Sequence, residues 1–331
     1  MKKYILLIIL LILSVLIIFV FVSKKDAAKL TTNQQASLQF SWIPSGSFAG
    51  DVVGIKKFDE KNNIDISSSF GGPGINPIQM VISGQKTFGW AGSDEVLAAN
   101  DKGADLVIIG LIHYYPPVGF ASFKEKNIKT PKDLEGKKVG ILPFGNSTMV
   151  YETMLKQNDV DRKKISEITI SNDLKPFLNG SYDVHPIYVY DEIVDLEKQN
   201  REFNIIKPED FGVRSIKGYV YFTKKSTLDN NPELVKSFID TMADGWNFAI
   251  KNPKAAIDIL KEFAPEIDID REIKVLQNGI PYFTNYNKQP INSDIDSWNT
   301  MIETLKQTGI IKDTPDLSKV LQFQFINEYY K

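Results

Sequence analysis

Residues Gln39–Gly50 read QFSWIPSGSFAG, and Ile64–Val96 read IDISSSFGGPGINPIQMVISGQKTFGWAGSDEV. Leu38, Phe40, Trp42 and Ile43 predict a strand, which Pro44, Ser45 and Gly46 end. Val52, Val53, Ile55 and Phe58 then recur near helical spacing. Ile64, Ile66 and Ser68 alternate with polar neighbours as a second strand. The Gly71–Gly74 turn leads into a helix over Ile75–Ser83, Phe88–Ala91 forms a third strand, and Gly92-Ser93-Asp94 opens a third helix. This β-α-β-α-β-α order predicts a largely parallel sheet covered by helices. Such sheets gather ligand-binding loops at the carboxyl ends of their strands. The loops here hold Trp42–Phe48, Gly71–Gly74 and Trp90–Asp94, which point to a small-molecule site.

The stretch also carries W-x-P-x-x-x-x-x-G from Trp42, GGPGINPIQ from Gly71 and SG-x-x-x-FG-x-A from Ser83. In these motifs the chain resembles the solute-binding proteins of ABC importers. It is most similar to the branch for nitrate, taurine, alkanesulfonates and thiamine pyrimidine precursors, and the similarity runs from Leu38 to the C-terminus. The resemblance implies an α/β fold of the type II periplasmic-binding-protein kind, with two lobes joined by two crossings.

Composition narrows the alternatives. The 331 residues carry a net charge of −2, with 43% hydrophobic and 24% charged residues, an ordinary globular balance. That balance gives no basic surface for nucleic acid. The chain has no cysteine, which excludes disulfides, thiol nucleophiles and cysteine metal sites. With His113 and His185 as its only histidines, it is a poor candidate for a multi-histidine metal centre. No cofactor is expected.

After Met1-Lys2-Lys3, the run Tyr4–Val22 contains Ser14 as its single polar side chain. It is long enough to cross a hydrocarbon core of roughly 30 Å. Residues 1–23 are therefore read as an uncleaved membrane anchor rather than a cleaved signal, and 24–37 as a tether. The family is often anchored through a lipidated cysteine, which this chain lacks.

Residues 38–117 and 219–331 are assigned to lobe 1 and 118–218 to lobe 2. Asp105–Ile112 reads as a strand, and His113-Tyr114-Tyr115-Pro116-Pro117 as the first crossing. Lys129–Lys137, KTPKDLEGK, resembles the family's lobe-entry motif, and Thr130 before Pro131 suits a helix start. Further strands are expected at Val139–Leu142, Ile165–Ile170 and Tyr182–Val189, the last broken by Pro186. Lys217–Thr223 is read as the return crossing. Asn231-Pro232 and Asn252-Pro253 each read as an N-cap followed by proline in the first turn.

Candidate ligand-binding residues follow from the strand-end loops. Trp42 either packs in the core or stacks on a flat ligand, and Phe48 in the same loop and Trp90 in the third strand-end loop are further aromatic candidates. Gly72 supplies either a positive-φ turn or a close backbone approach to ligand. Ser93 and Asp94 either cap a helix or offer hydrogen bonds to ligand. Asn146, Ser147 and Thr148 stand at a helix N-terminus. Tyr114 belongs to a crossing, where a cleft wall is expected. The resemblance adds Tyr190 and Glu192: Tyr188–Glu192, YVYDE, matches the family's aromatic-x-NEP segment with Ile193 in place of the proline. In the pyrimidine-precursor branch W-x-P-N-x-x-H-x-G is common. Here Ser45 and Phe48 replace the asparagine and histidine, favouring a more apolar or aromatic ligand.

Together these readings imply an extracytoplasmic solute-binding component of an ABC import system. It would act as a monomer, take an aromatic or heterocyclic, vitamin-precursor-like ligand between its lobes, and partner membrane permease subunits. An anchored sensory or adaptor domain is the alternative. The superfamily also contains a pyrimidine-synthesising enzyme with a cysteine-rich motif, which a chain without cysteine cannot supply.

Overall fold

The computed structural model describes residues 33–331, apart from 73, 115–116, 144–145, 172, 214–216, 286 and 292–297. The anchor run Tyr4–Val22, most of the tether, Tyr115-Pro116 and Phe144-Gly145 lie outside the described residues. Among the described residues no helix is long and apolar enough to cross a membrane.

Gln35–Lys331 form one compact unit built on two five-stranded sheets. The first sheet has the order β2-β1-β3-β10-β4, with β1 Gln34–Gln39, β2 Ile64–Ser69, β3 Phe88–Gly92, β4 Leu106–Leu111 and β10 Tyr219–Lys224. The second has the order β7-β6-β8-β5-β9, with β5 Val118–Phe123, β6 Lys138–Ile141, β7 Ser166–Thr169, β8 Val184–Tyr188 and β9 Phe203–Ile206. β1 runs parallel to β3, and β6 runs parallel to both β7 and β8. The antiparallel member of each sheet is the strand that enters it from the other: β5 against β8 and β9, and β10 against β3 and β4. The chain thus crosses after β4 and returns after β9.

β1 begins at Gln34, inside the stretch read as a tether, and stops at Gln39, before Trp42. Its polar residues hid it. Ala36 and Leu38 face the core, while Gln35 reaches Asp65 at 3.0 Å and the Ser37 and Thr87 hydroxyls lie 3.3 Å apart. β8 also departs from expectation. Pro186 sits within the strand, opposite Phe120 of β5. It is tolerated because the ladder from β6 to β8 ends at Val139 and Val184, so no partner on that side awaits the missing N–H.

Helix contacts fix the first sheet. The Pro232–Lys251 helix starts as expected, with the Asn231 side chain accepting from Leu234 N at 3.2 Å and proline in the first turn. Asn252 differs: its side chain donates to Phe248 O at 3.0 Å and does not cap the helix Pro253–Phe263. Thr130 and Pro131 open only a single 3-10 turn, Pro131–Leu134, closed by Asp133 accepting from Thr130 N at 2.8 Å. Helix Ala49–Lys57 lies directly on Pro232–Lys251. A Cβ on Gly50 would come within 2.1 Å of the Trp246 ring, and one on Gly245 within 2.2 Å of Gly50 O. Only glycine permits that separation. It seats the loop that precedes Ala49, which carries the site.

Candidate functional site

A cleft partly open to solvent lies where the strand-end loops of the two sheets meet. The first sheet contributes Trp42, Ser45, Ser47 and Phe48 from the loop after β1, Trp90 from β3, Glu95 from the following helix and Tyr219 from β10. The second contributes Leu142, Asn146 and Ser147 after β6, Pro186–Tyr188 from β8, and Tyr190, Asp191 and Glu192 beyond it. Trp42, Phe48, Trp90, Asn146, Ser147, Tyr190 and Glu192, singled out from sequence, are thereby brought together.

The aromatic wall is continuous with the core. The Phe48 and Trp90 rings lie 4.8 Å apart at 58°, and Tyr219 stacks on Trp90 at 4.0 Å and 26°. Phe48 and Trp90 are only 2% and 1% exposed, so packing fixes their positions before any ligand contact. Trp42 is half-buried. Tyr188 and Tyr219 join hydroxyl to hydroxyl across the cleft.

The acids behave differently. Glu192 Oε2 accepts from Tyr188 N at 2.7 Å, and Glu95 Oε2 accepts from Gly92 N at 3.0 Å. Burial raises both carboxyls well above the ordinary range, and the neighbouring Asp191 charge adds to the shift at Glu192. Among the described residues no lysine, arginine or histidine lines the cleft. Trp90 Nε1 and Asn146 Oδ1 are buried with no hydrogen-bond partner there.

Other expected site residues stand elsewhere. Gly71 and Gly72 give their N–H groups to Trp42 O at 2.8 Å and Ser41 O at 3.2 Å, with Gly72 at φ 146°. They brace the Trp42 loop from behind rather than facing a ligand. Ser93 Oγ donates to Lys217 O at 2.8 Å. Asp94 lies fully buried behind Asn146, accepting from its Nδ2 at 2.9 Å, and burial followed by the Glu95 charge raises its carboxyl. Thr148 Oγ1 donates to Leu142 O at 2.8 Å, tying down its own loop. Tyr114 N donates to Tyr282 O at 2.9 Å, and the ring packs under the Lys217 ammonium at 4.5 Å. Ser93, Asp94 and Thr148 follow strand ends as expected, but their side chains hydrogen-bond to Lys217, Asn146 and Leu142, and none of them lines the cleft.

Glu95, Tyr188 and Tyr219 were not anticipated. Glu95 caps its own helix by accepting from Gly92 N and also lines the cleft. Tyr219 reaches the site only through the pairing of β10 with β3, between residues more than a hundred positions apart. The histidines are structural. His113 Nε2 lies 3.1 Å from the Tyr190 hydroxyl and His185 Nδ1 2.8 Å from that of Tyr182, and burial lowers them to about 3 and about 4. Among the described residues no cluster of His, Cys, Asp and Glu could hold a metal ion.

The chain belongs to the family described as NMT1/THI5 like, which matches residues 47–256. It is 22% identical over 313 residues to the riboflavin-binding protein RibY of Chloroflexus aurantiacus, covering 89% of this chain and 87% of the relative. It is 23% identical over 253 residues to a 4-amino-5-hydroxymethyl-2-methylpyrimidine phosphate synthase of Legionella pneumophila, covering 75% and 78%. The crystal structure of a ligand-binding component of an ABC-type import system from Staphylococcus aureus superposes with a TM-score of 0.68 at 12% identity, over 89% of this chain and 99% of that one. The fold is thus the two-sheet α/β fold of periplasmic binding proteins.

Proposed function

We propose that this chain is the extracytoplasmic solute-binding component of an ABC import system, anchored by Tyr4–Val22, and that it captures a flat, N–H-bearing aromatic heterocycle without altering it. One observation carries the reading: a cleft walled by aromatic rings and by the buried carboxyls of Glu95 and Glu192, with no basic side chain among its described lining residues. Rings stack on a planar ligand. An ionised carboxylate accepts from N–H and repels nitrate or a sulfonate, and a carboxyl kept protonated by burial donates O–H instead. The unpartnered Trp90 N–H and Asn146 Oδ1 offer one further donor and acceptor. The names of the Chloroflexus relative and the Staphylococcus structure support a carrier. The Legionella name is that of a synthase, but this chain has no cysteine and keeps both histidines in structural packing.

The test is a thermal-shift screen with riboflavin, 4-aminopyrimidine, nitrate and taurine. A ligand at a hundred times its Kd that binds only the folded state adds about 2.7 kcal/mol of stability. A heterocycle should raise the melting temperature and be recovered unchanged. Stabilisation by nitrate or taurine alone, or recovery of a chemically altered heterocycle, would overturn the reading. N-terminal sequencing of membrane-fraction protein should begin at or near Met1, and a start near Lys24–Leu30 would rule out the anchor.

A further inference from the structure

Arg271, near the start of helix Ile269–Phe283, does not line the cleft, yet its guanidinium joins the two walls. Nε donates to Asp195 Oδ2 at 2.8 Å, a terminal nitrogen to Asp191 Oδ1 at 2.7 Å, and the other terminal nitrogen to Glu272 Oε1 at 2.6 Å. Asp191 and Asp195 follow β8 of the second sheet, whereas Arg271 and Glu272 follow β10 of the first. Glu272 passes the tie onward, its Oε2 accepting from Gly46 N at 2.6 Å. Gly46 begins the turn that presents Ser47 and Phe48 to the cleft. Ser47 Oγ in turn donates to Asp191 Oδ2 at 3.3 Å, so both oxygens of that cleft-lining acid are held from the opposite wall.

We infer that Arg271 is a latch: it positions Asp191 and holds the two walls of the cleft closed against each other. Three acids converge on one cation, and the four side chains are 5–29% exposed, so solvent screens their charges only partly. The planar fork serves several carboxylates at once, which a lysine ammonium cannot do as well. Without Arg271 the acids on opposite walls would repel each other, adding a force for opening to the loss of attraction. The nearby Lys198–Asp268 pair also crosses between the walls, but at 3.8 Å with both partners at least half exposed it contributes little. The inference concerns closure and stands or falls separately from the identity of the ligand.

The chain has no cysteine, so Gln79→Cys on the first sheet's side and Lys163→Cys on the second, both exposed, can carry a clean pair of spin labels in the full chain. Without added ligand, the otherwise wild-type chain should show a short inter-label distance that lengthens near 1 M salt, where the screening length falls to about 3 Å. Arg271→Gln should lower the closed-to-open ratio at least tenfold, with Arg271→Lys and Asp195→Asn intermediate. A purely structural arginine would lower the melting temperature and leave the distances unchanged. Unchanged distances in Arg271→Gln and Asp195→Asn would overturn the inference. Should Arg271→Gln fail to fold, Asp195→Asn and the salt titration decide: no lengthening in either overturns it. No ligand enters the measurement, so its failure leaves the binding reading intact.

Discussion

The two walls of the cleft are built on different physical footings. The first sheet presents rings that already belong to the hydrophobic core, with Phe48 against Phe40, Phe70 and Trp90, and Trp90 against Tyr219. The second presents Asn146, Ser147, Asp191 and Glu192 on the loops after β6 and β8, beside Leu142, Pro186, Ile187, Tyr188 and Tyr190. Asn146 and Asp191 are held by partners from the opposite wall, Asp94 and Arg271, whereas Glu192 is held by its own wall through Tyr188 N. One wall is rigid because packing makes it so. The other has Asn146 and Asp191 fixed by hydrogen bonds from across the cleft, which by our inference form on closure. Under the proposed function a ligand would find a fixed surface to stack on and a polar surface that completes itself as the walls meet.

Trp90→Ala should break this contrast most severely. It removes a buried ring shared by core and cleft, and comparable truncations cost about 3–5 kcal/mol. Denaturant unfolding should show that loss, together with loss of ligand binding. Trp42→Ala separates the two roles, because Trp42 is half-buried at the cleft. Roughly 1–3 kcal/mol of affinity should disappear by titration calorimetry, with a much smaller change in stability.

Glu192→Gln tests the polar wall through pH. Burial raises the folded carboxyl above its ordinary value of 4.5, to about 8, so in that range the folded state holds more protons than the unfolded one. This group's contribution to stability is therefore fully present below about 4.5 and is lost as pH rises towards 8. Relative to Glu192→Gln, the wild type should lose melting temperature across that window; parallel profiles would show that Glu192 is not buried as described. Thr148→Val gives the smallest effect. It deletes the hydrogen bond to Leu142 O, costs about 1 kcal/mol of stability, and leaves affinity unchanged if Thr148 only braces its loop.

Much of the first sheet was legible because its strands and helices announce themselves locally. Ile64 and Ile66 alternate with polar neighbours, Asn231-Pro232 opens a long amphipathic helix, and the Gly71–Gly74 turn separates β2 from the helix Pro77–Ile82. β1 was partly hidden because Gln35 pairs with Asp65 of β2 and Ser37 with Thr87 just before β3, a pairing that hydrophobic periodicity does not register. Pro186 misled for a similar reason: whether a proline is tolerated depends on whether a neighbouring strand needs its N–H, and that is set by where the ladder from β6 stops.

The sequence by itself pointed to strand-end loops, and to aromatic and acidic side chains within them, since the succession of elements along the chain and residue type can be read locally. Which atoms of those loops face the cleft was decided only by the tertiary structure. Ser93, Asp94 and Thr148 turn inward to partners at Lys217, Asn146 and Leu142, while Glu95 and Tyr219 take places at the cleft. Arg271 lies 80 residues from Asp191 in the chain and 2.7 Å from it in the fold. The direction of a polar side chain is set by whichever partner folding brings within hydrogen-bonding reach, and for these residues that partner mostly comes from a distant part of the chain.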